Sequence, residues 1–268
     1  MIDIEPLEKI IALALQSAYV NNNEKAVSLL LLADAEHGKT EALNKATNQL
    51  FKSKKIFYSN NITAKYVEKN LMHSIEKGEI RHIVIPDILN CIERGRSTRK
   101  LFLNFMKSLI EEGIVHIADA YGDFKAEHKV RCGLITAITK NNMKENFFEW
   151  RNIGFLSRVV TFSYSYNFAK VIKIIDSFLK ETGSEPSIYK ISTTDETIAD
   201  SEELYSPLKT FALTEARKIE GLGLRLYKNL IYLARSNAKL NKRKKVTPED
   251  ITEILRLTAW INLNYNAL

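Results

Sequence analysis

The clearest chemistry in the sequence lies in Ala33, Asp34, Ala35, Glu36, His37, Gly38, Lys39 and Thr40, which set A-x-x-x-x-G-K-T in one run. A mostly apolar stretch, Ala26–Leu32, precedes it, and Thr40–Lys52, read as a helix, follows, so the run sits where a strand hands over to a helix. That context suits a phosphate. Gly38 lets the backbone approach an anion closely, while the first amides and the dipole of the helix favour negative charge. Lys39 is a point charge for the β- and γ-phosphates of a nucleotide, and the Thr40 hydroxyl is a ligand for Mg²⁺. Such loops usually open on Gly; Ala33 is a tolerated variant. The structural alternative, an accidental turn, fits the flanking pattern less well.

A second candidate is Asp87, which follows the apolar Ile83–Ile85 and Pro86. A carboxylate at a strand end beside a phosphate loop holds Mg²⁺ or its water, the Walker B role. An ordinary strand-end Asp is the rival reading.

The elements that must carry these groups are legible as a pattern. Apolar spacing predicts a helix over Pro6–Val20 and buried strands over Ala26–Leu32, Lys55–Tyr58, His82–Ile85, Ile114–Ala118, Arg131–Thr139 and Val159–Ser163. Helices are predicted over Ala64–Lys77 and over Ser97–Glu112, with Ser97 as N-cap and Gly113 as its end. Asp119–Glu127 holds a turn. Strands alternating with helices up to about residue 165 predict an α/β layer with a mostly parallel sheet. The pattern then changes: Lys170–Lys180, Leu208–Ile219, Gly223–Leu240 and Pro248–Asn262 read as helices, with Thr182–Ser206 a polar, acidic loop or insertion. The expected division is a nucleotide-binding domain over 1–166 and a helical domain over 167–268.

Taken with the phosphate loop and Asp87, four more segments resemble, in order, those of AAA+ ATPases, most closely the branch with minichromosome-maintenance helicases and MoxR-type ATPases. LNFMKSLIEEGIVHIAD resembles the helix and hairpin strand after Walker B, RCGLITAIT the sensor-one strand, GFLSRVV the arginine-finger segment, and LRLYKNLIYLARSNAKLNKRKKVTPEDI the lid helix. The resemblance covers nearly the whole chain outside Thr182–Ser206. It implies a three-layer αβα domain with a parallel sheet and an α-helical lid, ATP and Mg²⁺ as cofactors, and a homo-oligomeric ring, a hexamer being the common form. It further implies catalytic roles for Asp87, Thr139 at the sensor-one tip, Arg158 as a finger reaching a neighbour's γ-phosphate, and Arg225 at the sensor-two position, with Arg217 as rival. Each has a plainer alternative: a strand-end Thr, a surface Arg, a solubilising helix Arg. The sequence departs from the family at Ile88, where a Glu that activates water normally follows the Asp; Glu93 is the nearest carboxylate. That departure bears on hydrolysis and not on nucleotide binding.

Composition bounds the partners. The 268 residues are 45% hydrophobic and carry a net charge of +7, which excludes a disordered chain and fits a polyanionic partner such as DNA, or a solvated Lys-rich surface. Lys239–Lys245 reads KLNKRKK before a Thr247-Pro248 helix start and is taken first as a solvated loop, second as a phosphate-backbone contact. Tyr121, Lys125, His128 and Lys129 are the alternative contacts, on a hairpin around Ala120–Lys129, whereas Tyr164, Tyr166 and Phe168 read as packing at the domain junction. Cys91 and Cys132 make no disulfide framework, and the five His residues are scattered. An acidic start and no long apolar run predict a soluble, cytoplasmic protein without a membrane span. The leading expectation is an oligomeric ATPase that remodels nucleic acid or a partner protein. The alternative is a nucleotide-gated binding module with slow or absent hydrolysis.

Overall fold

The computed structural model describes residues 5–93, 95–119, 122–166, 189–218 and 223–261. Five short strands form its central parallel sheet: β1 (Leu29–Leu32), β2 (Ile56–Tyr58), β3 (His82–Ile85), β6 (Gly133–Ile138) and β7 (Val160–Ser163), in the order β2-β3-β6-β1-β7. Every pairing is parallel. The strands read as continuous apolar runs because both faces are covered: the four leucines of β1 are all fully buried. One apolar cluster lies on the face with α1 (Glu5–Ser17) and α2 (Lys39–Lys52). The other lies under α6 (Arg96–Lys107) and α7 (Lys140–Ile153).

Helical segments Ala64–Tyr66 (α3) and Met72–Glu76 (α4) are joined by a wider π-turn, Val67–Leu71, so the helix expected over Ala64–Lys77 is present with a local change of pitch. Leu89–Ile92 (α5) follows β3, and α6 likewise runs into a π-turn, Ser108–Glu112, closed by Gly113 at φ 80°. The residue before α6 is Gly95, so Ser97 lies inside the helix and is not its cap. Two elements add to the expected pattern. Gly122–Val130 is a strand (β5), paired antiparallel with β4 (Ile114–Asp119), within the segment that the sequence reads as a hairpin around Ala120–Lys129. Its buried Phe124 and Ala126 alternate with exposed Asp123, Lys125 and Glu127, a period-two pattern that the charges obscure. Lys140–Ile153 is a helix where the sequence pattern predicts no element; Met143, Phe147 and Trp150 form its buried stripe.

The C-terminal helical region comprises α8 (Ser206–Lys218), α9 (Gly223–Leu240) and α10 (Pro248–Leu257). The helix expected over Lys170–Lys180 lies outside the described residues, as do Tyr121 and Phe168. Helix α9 packs along α1, so the helical region and the sheet share one apolar cluster. Residues 189–201 of the expected acidic loop are well anchored: Ile191 and Ile198 are buried, and Glu196 and Ala199 bridge to Val20 and Lys245. No helix among the described residues is long and apolar enough to cross a membrane.

His82 opens β3 fully buried, with Nε2 3.4 Å from the Val27 carbonyl. Its register partner is Gly133, where a Cβ would lie 2.3 Å from the imidazole ring. Burial pushes the imidazole pKa down to about 4. The unfolded chain therefore binds the extra proton between about pH 6.5 and pH 4, so stability falls as pH drops through that window by up to about 1.4 kcal/mol per unit. Urea unfolding should show a loss of about 2 kcal/mol from this group between pH 7 and pH 5. His82→Gln should remove that component; an unchanged pH dependence would exclude His82 as its source.

Candidate functional site

Parallel pairing sets the ends of three strands side by side. Leu32 pairs with Ile138 and Ile85 with Thr136, so Ala33, Thr139 and Asp87, each one or two residues further on, all lie at the C-terminal edge of the sheet. The 33–38 segment leaves β1 and turns into α2 at Gly38, which takes the left-handed φ 66°, ψ 19°. A Cβ there would meet nothing within 4 Å, so glycine is required for backbone conformation and not for space. Lys39, the first residue of α2, folds its Nζ back over the loop and donates to the carbonyls of Ala33 at 3.0 Å and Asp34 at 2.6 Å. Burial lowers its pKa, opposed by the charges of Asp87 and Asp34. Lys39 and Asp87 therefore share one electrostatic environment, as a Mg-phosphate site requires. Thr40, exposed in the first turn of α2, and the half-buried Asp87 are the oxygen donors that would hold Mg²⁺ alongside a nucleotide's phosphates.

Asp87 also acts locally, since its Oδ1 accepts the Leu89 N–H at 3.0 Å and starts α5. The Thr139 hydroxyl caps α7 by accepting the Asn142 N–H at 3.3 Å, which leaves its own proton for an oxygen acceptor. Beside it, Lys140 reaches Asp34 of the loop at 3.3 Å, a further cation at this edge that the motifs themselves do not reveal. Ile88 points away from all of this. It is fully buried in the apolar cluster with Leu30, Leu32 and Ile85, and its N–H donates to the Ala137 carbonyl. Glu93 is exposed at the C-terminal end of α5.

On the other flank of β1, Tyr164 and Tyr166 follow β7. The Tyr164 hydroxyl donates to the His37 carbonyl at 3.0 Å, and the Tyr166 ring stacks on the His37 ring at 5.3 Å with planes 6° apart. Burial keeps both phenols protonated. The reading of these tyrosines as junction packing thus omits their contact with the loop. The β1–β7 pairing that creates it cannot be inferred from either segment alone.

Two arginines lie elsewhere. Helix α7 carries the chain back along the sheet for 14 residues, about 21 Å. Arg158 follows, just before β7, whose Val160 N–H bonds Ser28 at the opposite, N-terminal edge. Its Nε donates to Glu112 Oε1 at 3.1 Å, Nη2 reaches the same oxygen, and Nη1 reaches the Gly154 carbonyl. Arg225, in the first turn of α9, joins it there by donating to Ser157 Oγ at 3.1 Å, with Glu111 at 3.4 Å. The structure therefore gathers Ala33–Thr40, Asp87 and Thr139 at one edge, and Arg158 with Arg225 at the other. Arg217 is exposed at the end of α8.

The basic run divides. Lys239 is buried and donates to the Tyr19 carbonyl at 2.5 Å and to the Thr194 carbonyl, and Arg243 pairs with the buried Asp250. Both are structural, leaving Lys242, Lys244 and Lys245 exposed. Lys125, His128 and Lys129 are exposed on β5. A groove of about 400 Å³, lined in part by Lys25, Lys77, Arg81, Lys129 and Arg131, lies at the base of this hairpin, away from the loop. Among the described residues no group of three or more His, Cys, Asp or Glu converges on a metal position. No family model matches the chain, and no curated protein matches it.

Proposed function

We propose that this chain is an AAA+-type subunit that binds Mg-ATP at Ala33–Thr40 and assembles with copies of itself under control of that nucleotide. The observation that carries the reading is the convergence of Lys39, Asp87 and Thr139 at the edge where β1, β6 and β3 end in sequence. Lys39 holds the phosphates, Asp87 and Thr40 hold Mg²⁺, and Thr139 donates to a phosphate oxygen or an attacking water. Bound Mg²⁺ would neutralise charge on the β- and γ-phosphates. Arg158 and Arg225, about a helix length from their own loop, serve the nucleotide of an adjoining copy. Arg225 thereby takes a trans role and not that of reporting on its own nucleotide.

Ile88 favours a particular form of this function, a switch with slow turnover. The residue after Asp87 is committed to the apolar core, so no carboxylate stands there to activate water. What the assembled form acts on follows from charge alone: a polyanion such as DNA at the hairpin base and exposed lysines, or a partner protein.

Lys39→Ala tests the site. Calorimetry should give Mg-ATP affinity about ten- to hundred-fold weaker, the loss of a charge-assisted contact. Equal affinity in the two proteins would remove the phosphate-loop assignment. Phosphate release from the assembled wild type, with and without DNA, then separates a slow switch from a motor.

A further inference from the structure

Arg158 is folded against its own chain. Its side chain is only 12% exposed, and Nε, Nη1 and Nη2 all have acceptors, on Glu112 and Gly154. Glu112, in contrast, lies on the water side of the pair, 45% exposed. It ends the π-turn Ser108–Glu112, and Gly113 follows at φ 80°, where a Cβ would lie 2.8 Å from Lys129. The backbone next to Glu112 thus packs closely against β5, while its side chain stands at the solvent edge. The preceding residue, Glu111, holds Lys25 and Arg225 in the same way. One turn therefore sets two adjacent carboxylates against two arginines on a single face.

We propose that Glu112 is a latch: it occupies the Arg158 guanidinium until the triphosphate of a second copy replaces it. This rests on the assembly reading above. A guanidinium fork bonds carboxylate and phosphate with the same geometry, but a triphosphate offers more charge and more acceptor oxygens. A copy with an empty loop offers neither, so the arginine stays with Glu112. The latch thereby makes docking conditional on nucleotide and not merely on contact between copies. Because the carboxylate is partly solvated, the threshold it adds is modest, as for other exposed ion pairs.

The test is sedimentation of the wild type and Glu112→Gln over a range of a non-hydrolysable ATP analogue. The variant should assemble at an analogue concentration about two- to five-fold lower, the factor that a partly exposed ion pair supplies. A structural contact merely lost would weaken assembly, and the added net positive charge would also oppose it, so the direction of the shift is diagnostic. Thermal melting checks that the variant is folded, and Glu112→Ala provides a second removal should glutamine retain a neutral hydrogen bond. If the wild type assembles and both variants need equal or more analogue, the latch is wrong and the assembly reading stands. If the wild type stays monomeric at saturating analogue, the assembly reading itself fails and takes the latch with it. The double variant Lys39→Ala/Glu112→Gln should remain monomeric. Its assembly would mean that Glu112 only repels neighbouring copies, which also overturns the proposal.

Discussion

Arg158→Ala should leave ATP binding by the isolated subunit unchanged while abolishing nucleotide-dependent assembly and lowering turnover by about 10³-fold or more. The size follows from the proposed role: arginines supplied in trans to a transferring phosphoryl group contribute about 10³–10⁵ in rate. The selectivity follows from geometry, because Arg158 lies at the edge of the sheet opposite Lys39. Lys39→Ala should fail in the complementary way, losing its own nucleotide while keeping its arginine. Mixing the two inactive proteins should therefore restore part of the activity. Each Lys39→Ala subunit then presents Arg158 to the intact loop of an Arg158→Ala subunit. Phosphate release from a one-to-one mixture checks this. A mixture as inactive as its components would argue that Arg158 serves only its own chain, through Gly154 and Glu112.

Restoring the missing acid by Ile88→Glu should unfold the protein more than it accelerates it. Ile88 is fully buried among Leu30, Leu32, Ile85 and Met143. A carboxylate there either stays charged without a partner or takes up a proton, and substitutions that bury an unpaired charge cost about 3–5 kcal/mol. Ile88→Val, which keeps the apolar contact, should cost only about 1 kcal/mol. Chemical denaturation of the three proteins measures both differences. A stable Ile88→Glu protein with faster phosphate release would reverse the conclusion that position 88 faces away from the proposed nucleotide site.

What the sequence makes legible and what it hides have distinct physical causes. The strand–turn–helix geometry of the 33–40 loop is readable because its requirements are local: Gly38 at positive φ, a lysine next to it, and a helix immediately after. The parallel strands are readable because burial on both faces leaves them uniformly apolar, as at Leu29–Leu32 and Ile83–Ile85. The hairpin around Ala120–Lys129 is readable but the extent of β5 is not, because its outward positions carry Asp, Lys and Glu. Helix α7 is hidden because three buried side chains are spread through an otherwise polar run. Sheet order is not a local property, and so neither the Tyr166–His37 stack nor the separation of Arg225 from Lys39 is visible in the motifs. Arg243 illustrates the same limit: within a basic run it reads as surface charge, yet its partner, Asp250, is buried in the first turn of the next helix.

The contacts of Tyr164 and Tyr166 with His37 couple the 33–40 loop directly to the residues that follow β7. His37 cannot shift without either drawing the Tyr164 hydroxyl along or parting from the Tyr166 ring. A displacement of the loop is therefore felt at once by Tyr164 and Tyr166 and does not have to spread through the sheet. Coupling free energies are reciprocal. A displacement imposed on Tyr164 and Tyr166 therefore acts back on the loop and would alter how tightly it holds any anion bound there.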